Sequence, residues 1–158
     1  MAKVLEIIQE DDPVLRKKAE TVKDEKNPEI QKLIKDMIAI MKVAKGLGLA
    51  APQVGVSLRV FTIDIKGNVF VFVNPEIKDF SKESGSFEEG CLSVNKTWGP
   101  VVRPKKLTIK ALDENGQPVK IRAKGLLARV IQHEMDHLNG ILFIDKAEKF
   151  YKVEKTND

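Results

Sequence analysis

Residues 125–140 read GLLARVIQHEMDHLNG, and they decide how the rest of the chain must be arranged. Leu126, Leu127, Val130, Ile131, Glu134, Met135 and Leu138 wind around a helix. Asn139 and Gly140 are suited to stop it, since glycine accepts the left-handed conformation at little cost. Apolar side chains cover much of the circumference. Such a helix belongs in the middle of a molecule, walled by other elements.

The walls read as strands. LRVFTIDI (58–65) and NVFVFVNP (68–75) are rich in β-branched and aromatic residues, with KGN as the turn between them. In residues 104–125, Leu107, Ile109 and Ala111 alternate with polar residues, Asn115-Gly116 marks a turn, and Val119 and Ile121 return. Pro104 and Pro118 stand near strand ends, where a missing N–H is tolerated. Ahead of the strands, Asn27 reads as a cap and Pro28 as the first turn of a second helix. Ile30, Leu33, Ile34, Met37, Met41 and Ala44 supply its apolar stripe, and Gly46 is expected to end it. ILFID (141–145) reads as a last short strand and residues 146–158 as a short, frayed helix. The predicted architecture is α+β: mainly antiparallel sheets around the central helix, an N-terminal helix outside, and residues 1–158 as one domain.

Composition narrows the class. The chain has 158 residues, 42% hydrophobic and 32% charged, the balance of a globular protein with a sizeable core. No apolar run is long enough for a bilayer, and the first residues mix acids and bases without a signal-peptide core. The net charge of +4 comes from 27 basic and 23 acidic residues interspersed, so an ordinary solvated surface is favoured over RNA binding. A single cysteine excludes an intramolecular disulfide and fits a reducing compartment.

His133 and His137 are the only histidines, four residues apart and so on one helical face. With Glu134 between them they form H-E-x-x-H, in which both imidazoles reach one ion and the carboxylate takes a proton from its bound water. The plain alternative is a solvated charge cluster. The apolar surroundings argue against it, because buried histidines and carboxylates need partners. A third ligand must be Cys91 or a carboxylate. Two histidines, one cysteine and a water make an open, catalytic type of site. Asp136 points off that face and reads as a structural anchor.

Cys91, in EEGCLSV, is by itself most simply a small buried hydrophobe. Gly90 before it permits close backbone approach, and Leu92 after it reads as strand; a thiolate ligand would favour iron or zinc over magnesium. GLGLAAPQVG (46–55) follows a helix and lacks the lysine of a phosphate loop, which rejects a nucleotide site. It reads either as a tight turn or as a loop that brings the Gln53 amide to an oxyanion.

Taken in order, GLGLAAPQVG, EEGCLSV and QHEMDHLNG resemble the three signature motifs of the peptide deformylase family, and DDPVLRKKAETV is similar to its opening. The resemblance spans nearly the whole chain. It implies that Cys91, His133 and His137 hold a divalent metal, with Fe²⁺ as the native ion and zinc or nickel able to replace it. It implies Glu134 as general base and then acid, and Gln53 with the Leu92 N–H as the oxyanion donors. It places Gly48 and Gly90 along a groove where peptide lies as an added strand. Leu47, Phe87, Leu126, Arg129 and Val130 match positions around a methionine pocket, and Glu89 a supporting carboxylate. The implied reaction removes formyl from N-terminal formyl-methionine of nascent polypeptides, in a bacterial-type cytoplasm, by a monomer that binds no membrane; an organellar presequence, once cleaved, would leave no trace.

Two residues stand out against this pattern. Arg129 is a cation among pocket positions, and its stem is expected to pack while its head reaches solvent. Trp98 stands near the place of a substrate-contacting arginine in some members. Lys146, Lys149, Lys152 and Lys155 form a basic stripe that reads as a solvated tail, with weak ribosome association as the alternative. The competing readings are an HExxH peptidase, a non-catalytic metal-stabilised binding module and an RNA-binding domain.

Overall fold

A computed structural model of the chain describes residues 5–153. Lys155 and the frayed end predicted for the tail lie outside the described residues.

Two antiparallel sheets and two main helices make the fold. Helix α1 spans Pro28–Val43, with the Asn27 side chain accepting from the Glu29 N–H at 2.8 Å. Strands β1 (Gly48–Ala50), β2 (Val60–Ile65) and β3 (Asn68–Lys78) follow. Next come β4 (Ser84–Cys91), β5 (Val94–Pro104), β6 (Lys106–Leu112) and β7 (Pro118–Lys124). Helix α2 spans Gly125–Leu138, a short helical turn α3 spans Phe143–Lys146, and β8 is Tyr151–Lys152. The sheets run β1-β2-β3-β6-β7 and β4-β5-β8.

Strand alternation sorts the core onto two faces of the five-stranded sheet. Phe61, Ile63, Phe72, Leu107 and Ile109 pack with Ala128, Ile131 and Leu138 of α2. On the reverse, Val60, Val71 and Val73 pack with Leu33, Ile34, Met37 and Met41 of α1. Met37 and Met41 are fully buried, each contributing about 1.5–3 kcal/mol by leaving water. A third cluster joins Leu15, Val94 and Val101 to Leu142 and Phe143. Helix α2 is also tied to β5, where the Gln132 amide donates to the Pro104 carbonyl at 2.9 Å. It is therefore the central helix, and α1 lies outside, as predicted.

Three local expectations fail. Residues 141–145 are not a strand: the Asp145 carboxylate accepts from the Leu142 N–H at 3.0 Å and folds Phe143–Lys146 into a helical turn. In the tail a two-residue strand replaces the expected helix, with Tyr151 opposite Trp98 of β5. Gly46 is not the left-handed residue that ends α1. Lys45 takes that conformation (φ 57°), while the Gly46 N–H bonds back to the Met41 carbonyl at 3.0 Å. Gly46 is small for another reason, since a Cβ there would stand 2.8 Å from Leu92 Cδ1.

Candidate metal centre

The centre lies where three elements meet: one face of α2, the end of β4, and the loop from β1 into a 3-10 turn at Ala51–Val54. His133, Glu134 and His137 come from α2. Cys91 is the last residue of β4, and Leu92 lies in the turn to β5 rather than in a strand. Gln53 is buried, its carbonyl accepting from the Ala50 N–H at 2.9 Å and its amide donating to Ser93 Oγ at 3.1 Å. Its Nε2 also stands 3.5 Å from Cys91 Sγ.

One ligand atom from each of Cys91, His133 and His137 falls within 4.8 Å of the others. Cys91 Sγ and His137 Nε2 are 3.2 Å apart. Two donors at about 2.0 and 2.3 Å from one ion, at a tetrahedral angle, stand roughly 3.5 Å from each other. The donors are the nitrogen and sulfur set of a borderline transition ion. Glu134 is 3% exposed and its Oε1 has no partner, so a buried oxygen beside the cluster is left to serve a ligand. The cluster can hold a metal ion.

The orientation of His133 comes from a buried network. Its Nδ1 lies 2.9 Å from Glu89 Oε1, which leaves Nε2 for the ion. Glu89 is gripped by three side chains: His133, Arg103 in a two-pronged pair at 2.7 and 2.9 Å, and Arg129 at 2.6 Å. Arg103 also holds Asp136 at 2.9 Å, and Lys146 reaches the other Asp136 oxygen at 3.2 Å. Lys146 is thus tied to α2 and drops out of the tail stripe. Burial alone would raise the Glu89 carboxyl, but His133 and Arg103 outweigh it and hold it at about 2. For Glu134 burial dominates; against the opposition of His133 and Arg103 it pushes the carboxyl up to about 7. Burial also opposes charge on His133, yet hydrogen bonds to Cys91 and Glu89 lift it well above its ordinary value. His137, buried and facing His133, is pushed well below.

A cavity of about 460 Å³ opens onto this centre. Leu47, Gly48, Gln53, Phe87, Glu89, Gly90, Cys91, Leu92, Leu126, Arg129, Val130, His133 and Glu134 all line it. His137 lies beneath, 1% exposed. Leu47, Phe87 and Leu126 are exposed at the mouth, and Val130 is buried in the wall. The Trp98 ring covers Gly90, whose added Cβ would lie 2.9 Å from it. At Gly48 a Cβ would meet Glu134 Oε2 at 2.5 Å, so any larger residue there would have to displace the carboxylate.

Arg129 differs from expectation. Its guanidinium is turned inward and mostly buried: it donates to Glu89, to the Val101 carbonyl at 3.0 Å and to the Gly85 carbonyl at 2.8 Å, and it lies 5.8 Å from the Phe87 ring centre. Sequence reading also missed Arg103 and Ser93. Arg103 left one trace, a cation beside Val101 and Val102 on a strand, but nothing in sequence pairs it with Glu89 or Asp136.

Residues 4–153 match the family model described as polypeptide deformylase. The chain belongs to the peptide deformylase family. It is 48% identical over 155 residues to a peptide deformylase of Dictyoglomus thermophilum, covering 96% of this chain and 99% of that one. To the peptide deformylase of Natranaerobius thermophilus it is 45% identical over 148 residues, 93% of this chain and 94% of the other. The crystal structure of a peptide deformylase from Synechococcus elongatus in complex with actinonin superposes with a TM-score of 0.89 at 41% identity, over 94% of this chain and 82% of that chain. Membership of the peptide deformylase family makes the chain an enzyme, and the α+β fold agrees with that family's structures. Among the described residues, no helix is long and apolar enough to cross a membrane.

Proposed function

We propose that the chain removes the formyl group from the N-terminal formyl-methionine of newly made polypeptides, with Cys91, His133 and His137 holding one divalent ion. The observation that carries this reading is the cluster of those three donors beside a buried, partly unpartnered Glu134 carboxylate. An ion bound there lowers the pKa of water and polarises the formyl carbonyl. Fe²⁺ is the proposed native ion, and the donor set also suits zinc and nickel.

The chain's own groups do the rest. Glu134 takes a proton from the attacking water and gives it to the amine nitrogen as the formyl C–N bond breaks, leaving formate and a free N-terminus. A carboxyl raised by burial is suited to both halves of that transfer. Gln53 has two amide hydrogens, one spent on Ser93 and one directed at Cys91. The second turns to the developing oxyanion, joined by the Leu92 N–H. Gly48 and Gly90 flank the peptide, and Leu47, Phe87, Leu126 and Val130 receive the methionine side chain. Arg129 takes a different part from its neighbours: it fixes the pocket's polar wall through Glu89, and Phe87 lies over its guanidinium. The enzyme works as a monomer in a bacterial-type cytoplasm.

Anaerobic assay of the iron-, nickel- and zinc-loaded protein on a formyl-methionyl peptide tests the reading. Formate and free amine are expected in equal amounts, with no internal cleavage. Cleavage within an unformylated peptide would instead make the chain a peptidase.

A further inference from the structure

The reverse face of the β6–β7 hairpin has no part in the centre described above. Residues whose side chains point away from α2 include Lys106 and Lys110 on β6, Lys120, Arg122 and Lys124 on β7, and Lys78 on β3. All six are exposed, and none forms an ion pair among the described residues. Glu76 is the one acid among them, opposite Lys110. The face therefore carries an excess of five positive charges, where the whole chain carries four.

Its register is unfavourable on its own terms. Lys106 is directly opposite Lys124, and Lys110 opposite Lys120. Like charges in that relation destabilise a sheet. Contact with Lys78, then the field of Lys120, lowers the Lys110 pKa, as crowding among cations requires. A surface that keeps such a cost gains it back when a polyanion neutralises it.

We infer that this lysine and arginine lattice on β3, β6 and β7 is a docking face for double-helical RNA. Cations stand about 6.7 Å apart along β7, about 13 Å apart on β6 where Thr108 lies between Lys106 and Lys110, and about 4.8 Å apart across strands. Beside α1, which packs on the same side of the sheet, that makes a grid of cations for a phosphate backbone. Phe80 is a single exposed aromatic beyond the end of β3, and one ring gives no run of stacking positions for the successive bases of a single strand. Half exposed, Phe80 is also the large apolar side chain beside the face, and one ring is too little apolar surface to hold a bilayer. The wide, shallow minor groove of A-form RNA presents a broad face edged by phosphates, which cations on a sheet face can meet without entering a groove. Binding of this kind reads shape and charge, not sequence.

The test is fluorescence anisotropy with the intact metal-loaded enzyme and a labelled RNA duplex of about 16 base pairs, the span of a compact double-strand reader. A B-form DNA duplex of the same sequence and vesicles of anionic lipid are run beside it. RNA is expected to bind tightest, with affinity falling steeply between about 50 and 200 mM salt. In the variant Lys110→Gln/Lys120→Gln/Arg122→Gln, affinity should fall at least about tenfold and the salt slope become shallower by about 2 to 3. Its formate release on a short peptide should be unchanged, and its melting temperature unchanged or higher because the repulsion is relieved. Equal binding by the variant, absence of RNA binding at low salt, or tighter binding of DNA or vesicles would each overturn the assignment.

Discussion

Helices α1 and α2 are both amphipathic and nearly equal in length, yet they bury opposite kinds of side chain. Helix α1 is 16 residues long and buries Leu33, Ile34, Met37 and Met41, all apolar. Helix α2 is 14 residues long and buries Gln132, Glu134, Asp136 and His137 beside Ala128, Val130, Ile131 and Leu138. A side-chain cap and a proline in the first turn begin α1; no side chain caps α2, which starts after Lys124 at a left-handed Gly125 (φ 60°). The first starts on its own local signals and packs an apolar stripe on the sheet. The second is stable only because β4, β5 and the large sheet satisfy its polar groups. The candidate metal centre is housed in the helix that depends on its neighbours.

Substitutions in each helix can break or sharpen that contrast. The largest effect belongs to Glu134→Gln on α2. Turnover should fall by about 10²- to 10⁴-fold, the usual worth of a general acid–base group. Metal content and melting temperature should hold, and full activity in this variant would remove Glu134 from the proposed role. Next is Arg103→Met, which leaves Glu89 and Asp136 buried without their shared cation. A loss of about 3–5 kcal/mol in urea unfolding is expected, together with weaker metal retention, because His133 loses its fixed partner. On α1, Met37→Ala empties a fully buried site and should cost about 2–5 kcal/mol. Here the KM and kcat of whatever folded protein remains should match the parent, and a changed kcat would show that α1 is more than a support. The smallest effect is at Asn27→Ala, about 1 kcal/mol from a lost cap, read as a small fall in melting temperature with no kinetic change.

The same contrast explains what was legible in sequence. Helix α1, the β6–β7 hairpin and the histidine helix all follow local rules: a cap before a periodic stripe, alternation around Asn-Gly, and paired ligands one turn apart. Hairpin β4–β5 carries Cys91, and it inverts the rules. Phe87 is 64% exposed while Glu89 on the same strand is 6% exposed, so a reading of apolar residues as inside finds no strand there. The carboxylate is inside because Arg103, Arg129 and His133 meet it, and those residues lie 14, 40 and 44 positions away. ILFID failed for a related reason. Its β-branched and aromatic residues do favour a strand, but Asp145 caps the Leu142 N–H and turns the backbone. Arg129 was read as a snorkelling side chain because its acceptors, two backbone carbonyls and a distant carboxylate, leave no mark near it in sequence.

The close passage of β1 at Gly48 has one more consequence. At that point the large sheet leaves no room for a methyl group beside the Glu134 side chain. Every residue that sets the height of β1 above the core, including Leu49 and the α1 side chains beneath it, therefore acts as a shim under the Glu134 carboxylate. Added thickness in that stack would press β1 toward Glu134, so the fit of an apolar core far from solvent sets the clearance of the carboxylate proposed to carry the proton.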